Sequence, residues 1–168
     1  MKVAINGFGR IGRLAFRKLS EKENIELVAI NDLSDAKTLA YLLKYDSVHG
    51  NFYPDDISFE SDYLIFKDQK IKIFCQKDPN DLPWKELDID IVLECSGAFT
   101  SKDAASAHIN AGAKKVLISA PAKGDVKTIV YNVNDDTLDG SEEIISAASC
   151  TTNCLAPVLS FLHQNYGV

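Results

Sequence analysis

At 168 residues, 46% hydrophobic and 25% charged, the chain has the size and composition of one ordinary globular domain that holds a core without disulfides or metals. A formal charge of −6 without any block of Lys or Arg excludes the electrostatic footprint of nucleic-acid or anionic-membrane binding. No apolar run approaches the ~20 residues of a membrane span and the N-terminus leaves no room for a secretory apolar region, so a cytoplasmic chain with free thiols is expected.

Short apolar runs alternate with helical patterns, the signature of βαβ units and a mainly parallel sheet. Residues 2–6 form the first strand, and a glycine turn leads into a helix over residues 10–22 with Ile11, Leu14, Ala15 and Leu19 at helical spacing. A second strand is expected over residues 25–31 and a second helix over residues 35–45, with Leu39, Leu42 and Leu43 on one face. Between residues 46 and 87, Gly50, Pro54, Pro79 and Pro83 punctuate short alternating runs at 57–59, 63–66 and 70–74, which read as a hairpin-like insertion. The βα pattern returns with a strand over 89–95, a helix over 102–111 stopped by Gly112, and a strand over 115–119. Further strands are expected over 128–133 and 144–146, and a last helix over 151–164.

Gly7-Phe8-Gly9-Arg10-Ile11-Gly12 fits G-x-G-x-x-G at the junction of the first strand and helix, and Asp32 ends the second strand 20 residues after Gly12. That order is the dinucleotide-binding fingerprint of a Rossmann fold: one glycine for the tight turn, one for close approach of a pyrophosphate, one for helix–strand packing. Amides near Arg10 and Ile11 would face the phosphates with the positive helix end behind them. Asp32 suits the two hydroxyls of an adenosine ribose and would repel a 2′-phosphate, so NAD is expected over NADP; Leu33 beside it supplies no positive charge.

Ser149-Cys150-Thr151-Thr152-Asn153-Cys154 places a cysteine where a strand hands over to a helix, a position that stabilises a thiolate. Ser149 and Thr151 add hydroxyls able to hold an anion, although Ser and Thr are also what helix capping alone selects. Cys154, one turn on, is expected to pack behind the site; no metal site is expected, because His49, His108 and His163 are distant in sequence. His163 lies 13 residues beyond Cys150 on the same helix, ~20 Å away at 1.5 Å per residue, and so cannot serve it as a base. His49 and His108 read as surface or packing residues.

INGFGRIGR at 5–13, NDL at 31–33, KYDSVHG at 44–50, ECSGAFTSKD at 94–103, KKVLISAPAK at 114–123 and SCTTNCLAP at 149–157 closely resemble phosphorylating glyceraldehyde-3-phosphate dehydrogenases, in that family's order and from end to end of the chain. The resemblance implies a doubly wound Rossmann-type fold over residues 1–149 with NAD as cofactor, and a nucleophile-bearing helix over residues 150–168 that begins a catalytic domain. It implies that Cys150 attacks glyceraldehyde-3-phosphate, that hydride passes to NAD, and that inorganic phosphate releases 1,3-bisphosphoglycerate, a step of glycolysis. Matched position by position, Gly7, Gly9, Arg10, Ile11, Gly12 and Asp32 are cofactor ligands. Lys77 falls at the adenine end, Ser96, Gly97 and Phe99 border the cofactor, and Ser119 lies near the nicotinamide. Ser149 and Thr151 flank the nucleophile and help hold phosphate or substrate. Tyr131-Asn132 departs from the family where a glycine is usual nearby. The family continues for about as long again, with the histidine base, most substrate-phosphate ligands and most of a homotetramer interface. By that comparison the 168-residue chain reads as catalytically incomplete. Leu155, Val158, Leu159 and Leu162 would then be partly uncovered. A non-catalytic NAD-binding module and an erythrose-4-phosphate dehydrogenase are the alternative expectations.

Overall fold

The structure, a computed structural model, describes residues 1–167. Strand β1 (Lys2–Asn6) leads through a glycine turn into helix α1 (Arg10–Leu19), then β2 (Glu26–Asn31) and α2 (Ala36–Lys44). A meander of β3 (Ile57–Glu60), β4 (Tyr63–Phe66) and β5 (Gln69–Phe74) follows, then the short helix α3 (Trp84–Leu87) and β6 (Ile91–Glu94). The chain goes on through α4 (Lys102–Asn110), β7 (Lys115–Ile118), β8 (Lys127–Thr128), β9 (Ile144–Ser146) and α5 (Cys150–Tyr166).

One nine-stranded sheet results, ordered β3-β4-β5-β2-β1-β6-β7-β9-β8. Pairing is parallel from β5 across to β8 and antiparallel only within the β3–β4–β5 meander. Because β1 pairs with β2 on one side and β6 on the other, the strand order reverses at β1, the switch point where open α/β sheets place their ligands. The doubly wound, mainly parallel architecture is the expected one. The hairpin-like insertion proves continuous with it, since β5 adds directly to β2.

Two apolar layers sandwich the sheet. On one face Val3 and Ile5 pack with Phe16 of α1 and Leu39 and Leu43 of α2. On the other, the small side chains of Ala4 and Ala29 leave room for Trp84, with Ile89, Val92 and Ala113 around it. Beyond α1 the first face is open: Val3, Leu19, Ile91, Leu93, Leu117, Leu138 and Ile145 line an apolar groove of about 350 Å³.

Several local expectations need correction. Helix α1 ends at Leu19 rather than Lys22, because the Ser20 hydroxyl donates to the Arg17 carbonyl and the Lys22 amide turns back to Leu19. Its buried face is Gly12, Phe16 and Arg17, while Ile11 is exposed. Gly12 sets that rotation, since its Cα faces the Gly7 carbonyl so closely that a Cβ would lie 2.2 Å from the oxygen. The strand expected over 128–133 stops at Thr128, because the chain turns through Asn132 at φ +60, a left-handed conformation asparagine tolerates. Helix α3 was not anticipated; it is four residues long, held by the burial of Trp84.

Candidate functional site

A cleft of about 440 Å³ opens at the carboxyl ends of β1, β2 and β6, lined by residues that include Gly7, Gly9, Asp32, Lys77, Ser96 and Phe99. The glycines have separable roles. Gly7 sits at φ +89 with the next loop so near that a Cβ would meet the Ser96 backbone at 2.5 Å. Gly9 faces open space, with nothing within 4 Å of where its Cβ would be. Gly9 also caps α1 without any side chain, whereas Asp35, Ser101 and Ser149 cap α2, α4 and α5 through side-chain oxygens. The first amides of α1 have no partner within the helix, so an anion entering over Gly9 would be their acceptor.

Asp32 is held at the cleft mouth by two backbone donors: the Phe8 amide reaches Oδ2 at 2.7 Å and the Ser34 amide reaches Oδ1 at 2.9 Å. A carboxylate has about four lone-pair sites, so two remain for a vicinal diol. The open pass over Gly9 and the half-satisfied acid suit the pyrophosphate and adenosine ribose of NAD.

Other expected residues lie around this cleft rather than on its lining. Arg10 and Ile11 are exposed on the first turn of α1, and Gly12 is buried beneath it. Gly97, at φ +76, turns the loop between Ser96 and Phe99. Ser119 follows β7, and its side chain favours the thiolate form of Cys95, which does line the cleft. Burial pushes that thiol up from 9.0 to about 11, the Ser119 contact opposing only part of the shift. Cys95 should therefore resist alkylation at pH 8 while the exposed Cys75, Cys150 and Cys154 react. The folded state holds a proton that the unfolded chain releases, so this residue's contribution to stability is intact below about pH 9 and lost toward about pH 11. Mass-spectrometric mapping of alkylated thiols checks the first statement, and urea unfolding across that pH range checks the second.

Cys150 is exposed at the first position of α5. Ala148 turns the chain out of β9 at φ +61, an uncommon conformation for a residue with a Cβ, and the Asn153 amide group braces the turn by donating to the Ala147 and Ser149 carbonyls at 2.7 and 2.9 Å. Ser149 Oγ accepts from the Thr152 amide at 2.9 Å and lies 2.8 Å from Thr151 Oγ1, a cluster of hydroxyls beside the thiol. The parallel strands all end at one edge of the sheet, so the start of α5 after β9 and the cleft share that edge. Cys154, expected behind the site, is instead exposed, because α5 projects from the domain and buries none of its residues. Leu155, Val158 and Leu159 are uncovered, as expected. His108 is the most buried histidine, engaged by Trp84 and Glu94, and His49 closes a turn on Asp46.

Comparison with known proteins fits this geometry. Residues 1–102 match the family described as "Glyceraldehyde 3-phosphate dehydrogenase, NAD binding domain". The chain belongs to that family. NAD is the cofactor of this domain. The glyceraldehyde-3-phosphate dehydrogenases of Clostridium pasteurianum and Clostridium acetobutylicum are 57% and 56% identical over 167 residues, 99% of this chain and 50% of each relative. That of Mycoplasma pneumoniae is 54% identical over 169 residues, covering 100% of this chain and 50% of the relative. The chain thus spans about half the length of the curated relatives it matches.

Sequence reasoning missed that Asn6, Asn31, Gln76 and Cys95 also line the cleft. Asn6 and Asn31 carried a signal, as polar residues closing two parallel strands whose middle residues are apolar; register pairs Asn6 with Asn31 on one side and with Glu94 on the other.

Proposed function

We propose that this chain is the NAD-binding half, with the nucleophile attached, of an enzyme that oxidises glyceraldehyde-3-phosphate to 1,3-bisphosphoglycerate with NAD and inorganic phosphate. Carrying the reading is the exposed Cys150 at a helix start, on the same sheet edge as a cleft suited to NAD. Residues 1–149 form the dinucleotide domain and residues 150–168 open a second domain; Val168 lies outside the described residues. The uncovered side of α5 and the apolar groove beside α1 are surfaces for the remaining length of the family's chain, and a homotetramer belongs to the same reading.

In the cleft, Gly7, Gly9 and Gly12 shape the pass for the pyrophosphate, the amides of Arg10 and Ile11 bind it, and Asp32 holds the adenosine ribose. Lys77, Ser96, Gly97, Phe99 and Ser119 border the rest of the cofactor. NAD, when bound, supplies the hydride acceptor. The Cys150 thiolate attacks the aldehyde carbon to give a thiohemiacetal, stabilised by amides of the first helical turn and the Ser149 and Thr151 hydroxyls. Loss of hydride leaves a thioester, and a phosphate oxygen then displaces the Cys150 sulfur. His108 is wholly buried and His163 stands ~20 Å along the same helix, so neither can relay the thiol proton. The base belongs to the family's remaining length.

Two measurements test this. Cys150 should be alkylated faster than Cys75 and Cys154, which are also exposed, in the native chain, and equal rates would remove the activated nucleophile. Supplied with the second half of the Clostridium pasteurianum relative, the chain should form NADH from glyceraldehyde-3-phosphate, NAD and phosphate, and Cys150→Ser should abolish it. Retained NAD binding with no turnover in that mixture would favour a non-catalytic module, and preference for erythrose-4-phosphate would reassign the substrate.

A further inference from the structure

Beneath the cleft runs a buried chain of polar side chains that the proposed reaction does not use. Glu94, 1% exposed, ends β6, and four groups converge on its carboxylate. Asn6 Nδ2 and His108 Nε2 approach Oε2, while the Ser96 amide, at 2.8 Å, and the Ser96 hydroxyl approach Oε1. The donors can be assigned. Trp84 Nε1 can only donate, and it points at His108 Nδ1 at 3.0 Å, so that nitrogen is the acceptor and Nε2 carries the ring proton toward Glu94. Asn31 Nδ2 donates to Asn6 Oδ1 at 2.7 Å, which orients the Asn6 amide with its nitrogen on Glu94. Asn31 in turn takes the Gln76 amide on Oδ1 at 2.9 Å. Asn31 and Gln76 exchange a pair of bonds, since Asn31 Nδ2 also donates to the Gln76 carbonyl at 2.9 Å; from Asn31 onward each link donates toward one anion, Asn31 to Asn6 and Asn6 to Glu94, while Ser96 donates to the other carboxylate oxygen. Among the described residues no Lys or Arg pairs with this carboxylate, so its four donors replace the solvation it has lost.

We infer that Glu94 is a positioning residue that ties the two walls of the cleft together and so sets its affinity for NAD. This rests on the cleft being the NAD site. Gln76 and Lys77 lie on one wall and Ser96 to Phe99 on the other, and the Glu94 carboxylate is where the bonds from both converge. The same hold keeps Ser96 against Gly7, whose missing Cβ makes the approach possible. Glutamine matches the shape of Glu94 but has an acceptor at only one end. With its oxygen toward Asn6 and His108, its NH2 faces the Ser96 amide, donor against donor, and the loop over residues 95–99 is released.

The test compares Glu94→Gln with Trp84→Phe, which removes a buried hydrogen bond at the far end of the same chain yet leaves all four donors on Glu94. Calorimetric titration of the 168-residue protein with NAD should show Glu94→Gln binding at least tenfold more weakly. Trp84→Phe should lower the melting temperature while keeping NAD affinity within twofold. A merely structural role would lower both melting temperatures and leave both affinities alone, and that result overturns the inference. A wild-type chain that binds no NAD overturns the cleft assignment instead, and the positioning role with it. Should Glu94→Gln not fold, 15N spectra of the wild type still decide: His108 protonated on Nε2 alone supports the four-donor carboxylate, whereas the Nδ1 tautomer or an imidazolium removes it.

Discussion

Asp32→Ala should weaken NAD binding by about 10- to 100-fold while leaving NADP binding nearly unchanged or improved, so that the preference between the two collapses. The carboxylate already accepts the Phe8 and Ser34 amides and offers its remaining lone pairs to a diol. Hydrogen bonds to a charged group are worth roughly 1.5–3 kcal/mol, about one to two decades of affinity. A 2′-phosphate replaces one hydroxyl with an acceptor-only dianion facing a carboxylate, which is why NADP has little to lose. Removing Asp32 also orphans the Phe8 amide inside the glycine loop, so part of the NAD loss is loosening of the loop itself. Calorimetric titration of both dinucleotides against both proteins separates these contributions. An unchanged NAD-to-NADP ratio would mean that Asp32 is only a brace for the loop and for the Ser34 turn.

The features legible in the sequence are those whose physics is local. β1 and β9 fall where their apolar runs predict, and the glycine turn, α1 and Asp32 stand in the order that a dinucleotide pass demands. What stayed hidden depends on residues distant in the chain. The rotation of α1 is set by Gly12 meeting Gly7, so the hydrophobic spacing that pointed Ile11 inward was overridden by a backbone contact. The apolar run of Ile129, Val130 and Tyr131 reads as strand, yet it belongs to a turn stitched by Asn134, whose Oδ1 takes the Val130 amide at 2.7 Å. One turn from Cys150, Cys154 reads as a packing residue, but α5 buries none of its described residues. Glu94 was visible only as part of a motif, since its function as a buried anion needs Asn6, Ser96 and His108, up to 88 residues away, to arrive together.

The three glycines of the fingerprint should separate when each becomes alanine, because they meet different neighbours. At Gly12 a methyl would lie 2.2 Å from the Gly7 carbonyl oxygen, and at Gly7 it would lie 2.5 Å from the Ser96 backbone with φ at +89. Both neighbours are main chain, so neither can rotate away. Overpacking of this kind costs about 1–3 kcal/mol, and the left-handed backbone at Gly7 adds about 1 kcal/mol more. For a domain this size each kcal/mol lowers the melting temperature by roughly 2–4 °C, so Gly12→Ala should melt about 2–12 °C early and Gly7→Ala about 4–16 °C early. Gly9→Ala is the milder case: φ is −68 and nothing lies within 4 Å of the added methyl, so only the exchange of a glycine N-cap for the poorer alanine remains, and the melting temperature should hold within about 4 °C. Its methyl instead occupies the space through which a pyrophosphate reaches the first amides of α1, so NAD affinity should fall at least about tenfold, the loss of one charge-assisted contact. Thermal unfolding paired with NAD titration reads both axes. A stable Gly9→Ala protein that binds NAD normally would show that the dinucleotide does not cross the sheet edge at this point, and the assignment of the loop would have to move.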